Sequence, residues 1–135
     1  MQAYADKFFN LPQLEQEWKN ENSSFYFAEI NNEIVGYMKL NRGAGQTDVN
    51  DDISLEVERI YVSRFHQGKQ IGRQLLSFAI QKATSSQLRY LWLGVWEHNN
   101  RAIQFYQGNG FQRFGQHDFM LGNDLQVDVL MRKEL

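Results

Sequence analysis

Gln67-Gly68-Lys69-Gln70-Ile71-Gly72 is the most informative stretch of the sequence, because it joins a predicted strand to a predicted amphipathic helix. Glycines in such a turn let the backbone come close to a bulky anion. Successive backbone N–H groups in the turn, together with the positive end of the following helix, suit a pyrophosphate. Further positive charge is available from Lys69, Arg73 and Arg64. A glycine-containing turn ahead of an ordinary helix accounts for the same six residues equally well, so both readings stay open at this point.

Two familiar phosphate-binding loops are excluded by the residues around this turn. The loop of nucleoside triphosphatases has Ser or Thr directly after Gly-Lys, whereas Gln70 follows Lys69 here. The dinucleotide fingerprint has three glycines at a different spacing and an acidic residue about 20 positions later, and both features are missing. The ligand of this turn is therefore neither of these nucleotides in their usual binding mode.

The rest of the chain divides into short predicted elements on both sides of this turn. Met1–Glu21 is predicted to form two short helices, and Asn31-Asn32 is a tight turn between two strands. Asn41–Asp52 is predicted to be a mobile loop. The predicted strands cover 24–30, 33–40, 53–62, 88–96, 111–120 and 126–132, and helices begin at Ile71 and Asn99, the second ending at Gly108-Asn109-Gly110.

This order of elements predicts an α/β (α+β) fold with one central mixed sheet. Adjacent hairpins imply mostly antiparallel pairing, and the strand–helix–strand unit over 53–96 implies one parallel pair with a right-handed crossover. No repeat, linker or low-complexity segment is found, so residues 1–135 are predicted to be a single domain.

Composition excludes several classes of function. The 135 residues carry a formal charge of −2, and no basic stripe typical of nucleic-acid binders is present. With no cysteine, a cysteine acyl-enzyme is impossible, and the three histidines have no metal-ligand spacing, so no metal is expected. No apolar run is long enough to span a bilayer and no signal peptide is recognisable, which predicts no membrane association and a cytoplasmic protein.

Two motifs resemble those of the GNAT family of N-acetyltransferases. The family's pyrophosphate loop, Gln/Arg-x-x-Gly-x-Gly/Ala, is matched at Gln67, Ile71 and Gly72, with Gln70 where the family usually has glycine. The segment from Asn99 to Tyr106, followed by Gly110-Phe111, is similar to the family's Asn-x-x-Ala-x-x-x-Tyr…Gly-Phe segment. The two motifs occur in the right order and at the right separation, and the resemblance extends from about residue 25 to residue 135.

The resemblance implies the GNAT fold, in which helices flank both faces of a sheet that contains one splayed parallel pair. It also implies that acetyl-CoA is the co-substrate. Contacts to the pantetheine arm and pyrophosphate are carried over to Ile60, Tyr61, Val62, Gln67, Gly68, Lys69, Gln70, Ile71, Gly72, Arg73, Asn99 and Tyr106. Plain strand packing accounts equally for 60–62, and a helix N-cap is the alternative for Asn99.

Three side chains are predicted to carry the chemistry. Tyr106 is the general acid for the leaving thiolate, since a phenol is well matched to a thiol, although a Tyr that merely packs a helix against the core is the alternative. Glu56 and Glu58 lie two apart on one strand face and suggest a base or an anchor for a cationic amine. Resemblance favours Glu56 as the base, with Glu58 second. A salt bridge to Arg59 or a solvent-facing position is the alternative.

The resemblance is closer still to polyamine acetyltransferases of the PaiA type. It rests on residues 58–62, on residues 92–97 and on the tail with His117, Gly122, Gln126, Asp128 and Met131. Spermidine or spermine is therefore the expected acceptor, bound in an acidic groove drawn from Asp48, Asp51, Asp52, Glu56, Glu58, Asp118 and Asp128. Ordinary surface charge is the alternative for most of these.

The family's first strand is expected to be missing, which would leave the acceptor side incomplete or completed by a second subunit in a homodimer. A small amine is the expected partner. Acylation of a protein or peptide, and a non-catalytic acyl-CoA-binding regulatory module, remain alternatives.

Overall fold

A computed structural model describes residues 2–5, 22–47, 49, 51–68 and 70–135 of the chain. One seven-stranded sheet organises these residues, with strand order β1-β2-β3-β4-β5-β7-β6. The strands are β1 (Gln2–Ala5), β2 (Ser23–Ile30), β3 (Glu33–Arg42), β4 (Ser54–Val62), β5 (Tyr90–Trp96), β6 (Gln112–Leu121) and β7 (Asp124–Glu134). The described helices are α1 (Ile71–Ser85) and α2 (Asn100–Gly108), and short 3-10 turns cover Gly43–Gly45 and Arg64–His66.

The mixed sheet predicted from the sequence is confirmed. The β4–β5 pair is parallel, and the other neighbouring strands pair antiparallel. Asn31 and Asn32, with φ of 52° and 66°, form the tight turn between β2 and β3, as the two asparagines predicted. Helix α1 provides the crossover between β4 and β5, which the parallel pairing requires.

The larger core lies between the sheet and the two described helices. Helix α1 buries an apolar stripe at Ile71, Leu75, Leu76, Ala79 and Ala83. Helical periodicity in the sequence predicts these five positions together with Ile80, which is only partly buried. Alternate residues of the strands, such as Leu91 and Leu93 of β5, face this core, and α2 packs against it with partly buried side chains. The intervening residues Tyr90 and Trp92 face the opposite side of the sheet, where they form a smaller cluster with Leu130.

Strand β4 contains a β-bulge that changes its direction. Lys39 of β3 is paired with Arg59 and the next residue, Leu40, with Val57, so that Glu58 is the extra residue. Pairing between β4 and β5 is recorded only from Ser54↔Tyr90 to Val57↔Leu93. The two parallel strands therefore separate beyond Val57, because a bulge bends and twists the strand that carries it.

The structure corrects the prediction for the start of the chain. Residues 2–5 are strand rather than helix, and they pair antiparallel with residues 26–29 of β2. These residues therefore form a strand at the edge of the described sheet, where the sequence predicted none. The two helices predicted up to residue 21 fall, from residue 6 onward, outside the described residues, and so does any helical cover of the sheet face opposite α1 and α2.

The loop between β3 and β4 is tied to the sheet, where the sequence predicted a mobile segment. Gln46 is only 5% exposed, and its Oε1 accepts hydrogen bonds from Trp92 Nε1 at 2.5 Å and Ser54 Oγ at 3.0 Å. Asp51 accepts hydrogen bonds from Tyr90 and Ser54. These bonds join residues up to 46 positions apart, which local composition could not reveal. No described helix is long and apolar enough to cross a membrane.

Candidate active site

The turn before α1 presents free backbone donors. Gly68 has a φ of +86°, and Gln70, the residue that precedes the helix, has a φ of +64°. Within the part of the chain that the structure describes, no backbone hydrogen bond is donated by the N–H groups of residues 68 and 70–73. No side chain caps the start of the helix either. Free N–H groups at a helix N-terminus form a site for an anion.

These donors open onto a cavity of about 570 Å³ between the separated end of β4 and the N-terminal ends of both helices. The predicted residues that line it are Ile60, Val62, Gln67, Gly68, Gln70, Ile71, Gly72, Arg73, Asn99 and Tyr106. Lys69 lies outside the described residues. The structure thus brings two motifs that are about 30 positions apart in the chain to one cavity.

Four further residues line this cavity that were not among the predicted contacts: His66, Arg101, Ala102 and Phe105. Arg101 adds a positive charge at the first turn of α2. It occupies a variable position of the downstream motif, so only the spatial proximity of the two helix N-termini identifies it. His66 precedes the turn, and its Nδ1 is buried without a hydrogen-bond partner.

Two predicted contacts lie outside the lining of this cavity. The ring of Tyr61 is 54% exposed and packs against Tyr37, with ring centroids 5.7 Å apart, so that only its backbone could serve a ligand. Arg64 is exposed and its guanidinium lies over the ring of Phe65, 5.8 Å from the centroid.

Asn99 acts as the N-cap of α2, which the sequence left as the alternative to ligand binding. Its Oδ1 accepts a hydrogen bond from the backbone N–H of Ala102 at 3.2 Å. The side chain also lines the cavity. Capping uses the carbonyl oxygen of the amide, so its NH₂ group keeps its donors for a ligand.

Tyr106 lies on α2 with its ring against Phe105 and Phe111, at centroid distances of 5.3 and 5.7 Å. It lines the cavity, and its hydroxyl has no recorded hydrogen bond to any described residue. Burial raises the pKa of the Tyr106 phenol above its ordinary value. The side chain is therefore a protonated donor at neutral pH.

Glu56 and Glu58 lie on the sheet face opposite this cavity and share one partner, as the prediction of a common strand face required. The Nδ2 of Asn41 donates to Glu56 Oε1 at 3.0 Å and to Glu58 Oε1 at 2.8 Å. Glu56 is 3% exposed, and it also accepts from the Thr47 N–H at 2.8 Å and from Thr47 Oγ1 at 2.5 Å. Glu56 thus anchors the loop that follows β3.

Glu58 is surrounded by positive charge. Its carboxylate lies 3.0 Å from Lys39 Nζ and 3.2 Å from Arg59, so the salt bridge considered as an alternative is present. Burial alone would raise the pKa of Glu58, but hydrogen bonds from Asn41 and Lys39 and two neighbouring positive charges outweigh it and hold the pKa below its usual value. Glu58 is therefore ionised at neutral pH.

A second cavity of about 180 Å³ lies on this opposite face, lined by Thr47, Glu56, Glu58, Trp92, Gly94, His117, Asp128 and Leu130. It is named the acidic cavity below. Of the seven acidic residues predicted to form a groove, it gathers Glu56, Glu58 and Asp128. Asp51 is bonded to Tyr90 instead, Asp52 lines a separate cavity, Asp118 is exposed and Asp48 is outside the described residues. Across the described ranges, no group of three or more His, Asp or Glu side chains could hold a metal ion.

Comparison with known proteins gives a family for this geometry. The model of the acetyltransferase (GNAT) family matches residues 2–111. An uncharacterized N-acetyltransferase in the pepI 3′ region of Lactobacillus delbrueckii subsp. lactis is 40% identical over 135 residues, which is 100% of this chain and 78% of that protein. The spermine/spermidine N(1)-acetyltransferase of Bacillus subtilis is 28% identical over 88 residues, or 64% of this chain and 58% of that protein. The chain thus spans only part of each relative.

A solved structure shares the fold. A GNAT family acetyltransferase from Elizabethkingia anophelis, with acetyl-CoA bound, superposes with a TM-score of 0.78. The similarity covers 99% of this chain and 97% of that one at 20% sequence identity.

Proposed function

The chain belongs to the GNAT family of acetyltransferases, and from this premise we propose that it transfers the acetyl group of acetyl-CoA to the primary amine of a small cationic molecule. One observation carries the proposal. The free N–H groups that precede and begin α1 open onto the same cavity as the Tyr106 phenol. If these N–H groups bind the pyrophosphate of acetyl-CoA, the thioester of the same molecule lies within the cavity that contains the Tyr106 phenol.

The separation of β4 from β5 supports a place for the extended arm of acetyl-CoA. Beyond Val57 the edge of β4 that faces β5 has no recorded ladder partner. Backbone groups of Ile60 and Val62 are then available to pair with the pantetheine amides, and an N–H group there can stabilise the oxyanion formed during transfer. In this proposal Gln67, Gly68, Gln70, Ile71, Gly72 and Arg73 hold the pyrophosphate, with Lys69 as a further cation, and Asn99 holds pantetheine.

The reaction needs a neutral amine. A primary amine has a pKa of about 10.4, so at pH 7 removing its proton costs about 4–5 kcal/mol. The amine nitrogen then attacks the thioester carbonyl, the C–S bond breaks, and the CoA thiolate takes the Tyr106 proton. The second proton of the attacking nitrogen passes to the Tyr106 phenolate as the amide forms, which restores the phenol. Glu56 or Glu58 accepts the ammonium proton, directly or through water. Because each is already hydrogen-bonded, either carboxylate would act with a fixed orientation.

Two observations support a polyamine as the acceptor. The acidic cavity opens on the face of the sheet opposite the proposed acetyl-CoA cavity. A Bacillus subtilis relative at 28% identity is named for spermine and spermidine. Carboxylates attract the cationic amines of such molecules and raise their local concentration.

Replacement of Tyr106 by Phe tests the proposal. With spermidine as acceptor, and release of the CoA thiol as readout, we expect kcat to fall about 100-fold, within the range of general acid catalysis. The acetyl-CoA Kd from calorimetry should change less than threefold, because the phenol is not needed for the pyrophosphate contacts. Tyr37→Phe is the matched control, since this phenol stacks on Tyr61 outside the cavity.

Two results would contradict the proposal. If the wild-type protein binds no acetyl-CoA at millimolar concentration, the assignment of the cavity to acetyl-CoA is wrong. If Tyr106→Phe turns over as fast as the wild type, Tyr106 is not the general acid. Tight acetyl-CoA binding without turnover on any amine would instead favour the acyl-CoA-binding regulatory module.

A further inference from the structure

The three carboxylates of the acidic cavity differ in how their charge is compensated. Glu56 is nearly inaccessible, and three donors from Asn41 and Thr47 occupy its oxygens. Glu58 is neutralised by Lys39 and Arg59. The oxygens of both carboxylates therefore have partners without a ligand.

Asp128 lacks such compensation. No described side chain or backbone group donates a hydrogen bond to it, and His117 is its register partner on β6. Burial raises the pKa of the Asp128 carboxyl, and His117 offsets this only in part. A partly buried carboxylate without donors is unfavourable for folding, which makes it a candidate for a group that is completed by a ligand.

The surroundings of Asp128 leave space for a ligand. Gly94 on β5 is exposed, although the residues on either side of it are buried. A Cβ placed there would lie 3.8 Å from Asp128 Oδ2 and 3.6 Å from Leu130, so a side chain would occupy the space beside the carboxylate. The indole of Trp92 lines the same cavity. An open carboxylate with an aromatic ring nearby is a combination that recognises ammonium groups.

We propose that Asp128 is the specificity-determining residue that pairs with an ammonium group of the acceptor, and that Gly94 keeps the space for it open. This inference rests on the proposed function and narrows it to acceptors that bring a positive charge into the acidic cavity. Beyond Val57 and Leu93 the strands β4 and β5 separate, and Gly94 is the next residue of β5. The ammonium bound at Asp128 would therefore lie beside the gap between β4 and β5, through which the amine can reach the thioester on the other face of the sheet.

Binding of spermidine to the CoA-loaded protein tests the inference without requiring turnover. By calorimetry we expect Asp128→Asn to weaken spermidine binding at least tenfold and to leave the CoA Kd within twofold. Asp128→Glu should recover part of the affinity. Asp118→Asn is the matched control, because Asp118 lies on the same hairpin but is exposed, with a hydrogen bond from Gln116.

Gly94→Ala provides a second variant with ordinary van der Waals contacts to its neighbours, so it should fold. We expect this variant to weaken spermidine binding at least fivefold and to keep the affinity for CoA. Unchanged spermidine affinity in Asp128→Asn, or absence of spermidine binding by the wild type, would overturn the inference. A parallel loss of CoA and spermidine binding would show a structural role and overturn it too. Failure of the proposed function is separate, since it would appear as absence of acetyl transfer by protein that binds both molecules.

Discussion

Gln70 combines a position in the proposed pyrophosphate turn with an unfavourable backbone conformation. Its φ of +64° lies in the left-handed region, where a residue with a Cβ is strained by about 1–2 kcal/mol and glycine is not. We expect Gln70→Gly to stabilise the protein by about 0.5–1 kcal/mol in urea unfolding, after the larger entropy of glycine in the unfolded chain is subtracted. The acetyl-CoA Kd should stay within threefold, since the side chain is exposed and the N–H groups keep their directions.

Gln87 supplies the control for this prediction. It has nearly the same backbone, with a φ of +61°, but it follows the far end of α1. Gln87→Gly should therefore stabilise by a similar amount and leave acetyl-CoA binding untouched. A loss of stability in Gln70→Gly with a gain in Gln87→Gly would mean that the Gln70 side chain makes a contact of its own.

Glu56 of β4 makes one of the contacts that hold the loop after β3. Thr47 donates to both oxygens of Glu56, through its N–H and its hydroxyl, and a hydrogen bond to a buried charged group is worth about 1.5–3 kcal/mol. We expect Thr47→Val, which keeps the shape of the side chain, to lower the free energy of unfolding by about that amount. Because Thr47 also lines the acidic cavity, spermidine affinity should fall with it.

Thr84→Val is the matched control for Thr47→Val. Thr84 Oγ1 donates to the carbonyl of Ile80 on the exposed side of α1, far from the acidic cavity. Its loss should change stability by less than about 0.5 kcal/mol, as is usual for surface substitutions. Equal effects of the two variants would show that the contact between Thr47 and Glu56 does not hold the loop.

The elements that the sequence could predict are those with local signals. Helical periodicity placed the buried stripe of α1, and Asn31-Asn32 marked a hairpin turn with two positive φ values. The bulge at Glu58 had no such signal, because it is defined by the pairing of β4 with β3. Residues 2–5 pair with residues 26–29, and no local sequence pattern predicts that pairing. The fixed positions of the Gln46 and Asp51 side chains depend likewise on hydrogen bonds to distant partners in β5.

The candidate site follows the same division. The turn before α1 was singled out from its own residues and Tyr106 from the family resemblance, and the structure brings both to one cavity. Arg101 was missed because its relevance depends on two helix N-termini that meet only in the folded chain. Asp128 was one of seven acidic candidates, and only the absence of donors around it, seen in three dimensions, distinguishes it from Glu56 and Glu58.

At the scale of the whole molecule, two cavities lie on opposite faces of one sheet. The larger is formed with α1 and α2, and the acidic cavity lies on the side of Trp92 and Leu130. The strands β4 and β5 run between them and separate beyond Val57. Two substrates that enter from opposite faces can be bound together, and neither needs to leave before the other arrives.

This arrangement predicts a ternary-complex mechanism. Initial rates measured against acetyl-CoA at several fixed spermidine concentrations should give intersecting lines, because both substrates must be bound before transfer. CoA should compete with acetyl-CoA and not with spermidine, since in the proposed function it occupies only the larger cavity. The chain has no cysteine to carry the acetyl group as a thioester, so no acetylated protein should be found by mass spectrometry after incubation with acetyl-CoA and brief quenching. Parallel lines together with an isolable acetyl-enzyme would require a nucleophile on the protein, and the direct attack across the separated strands would then be wrong.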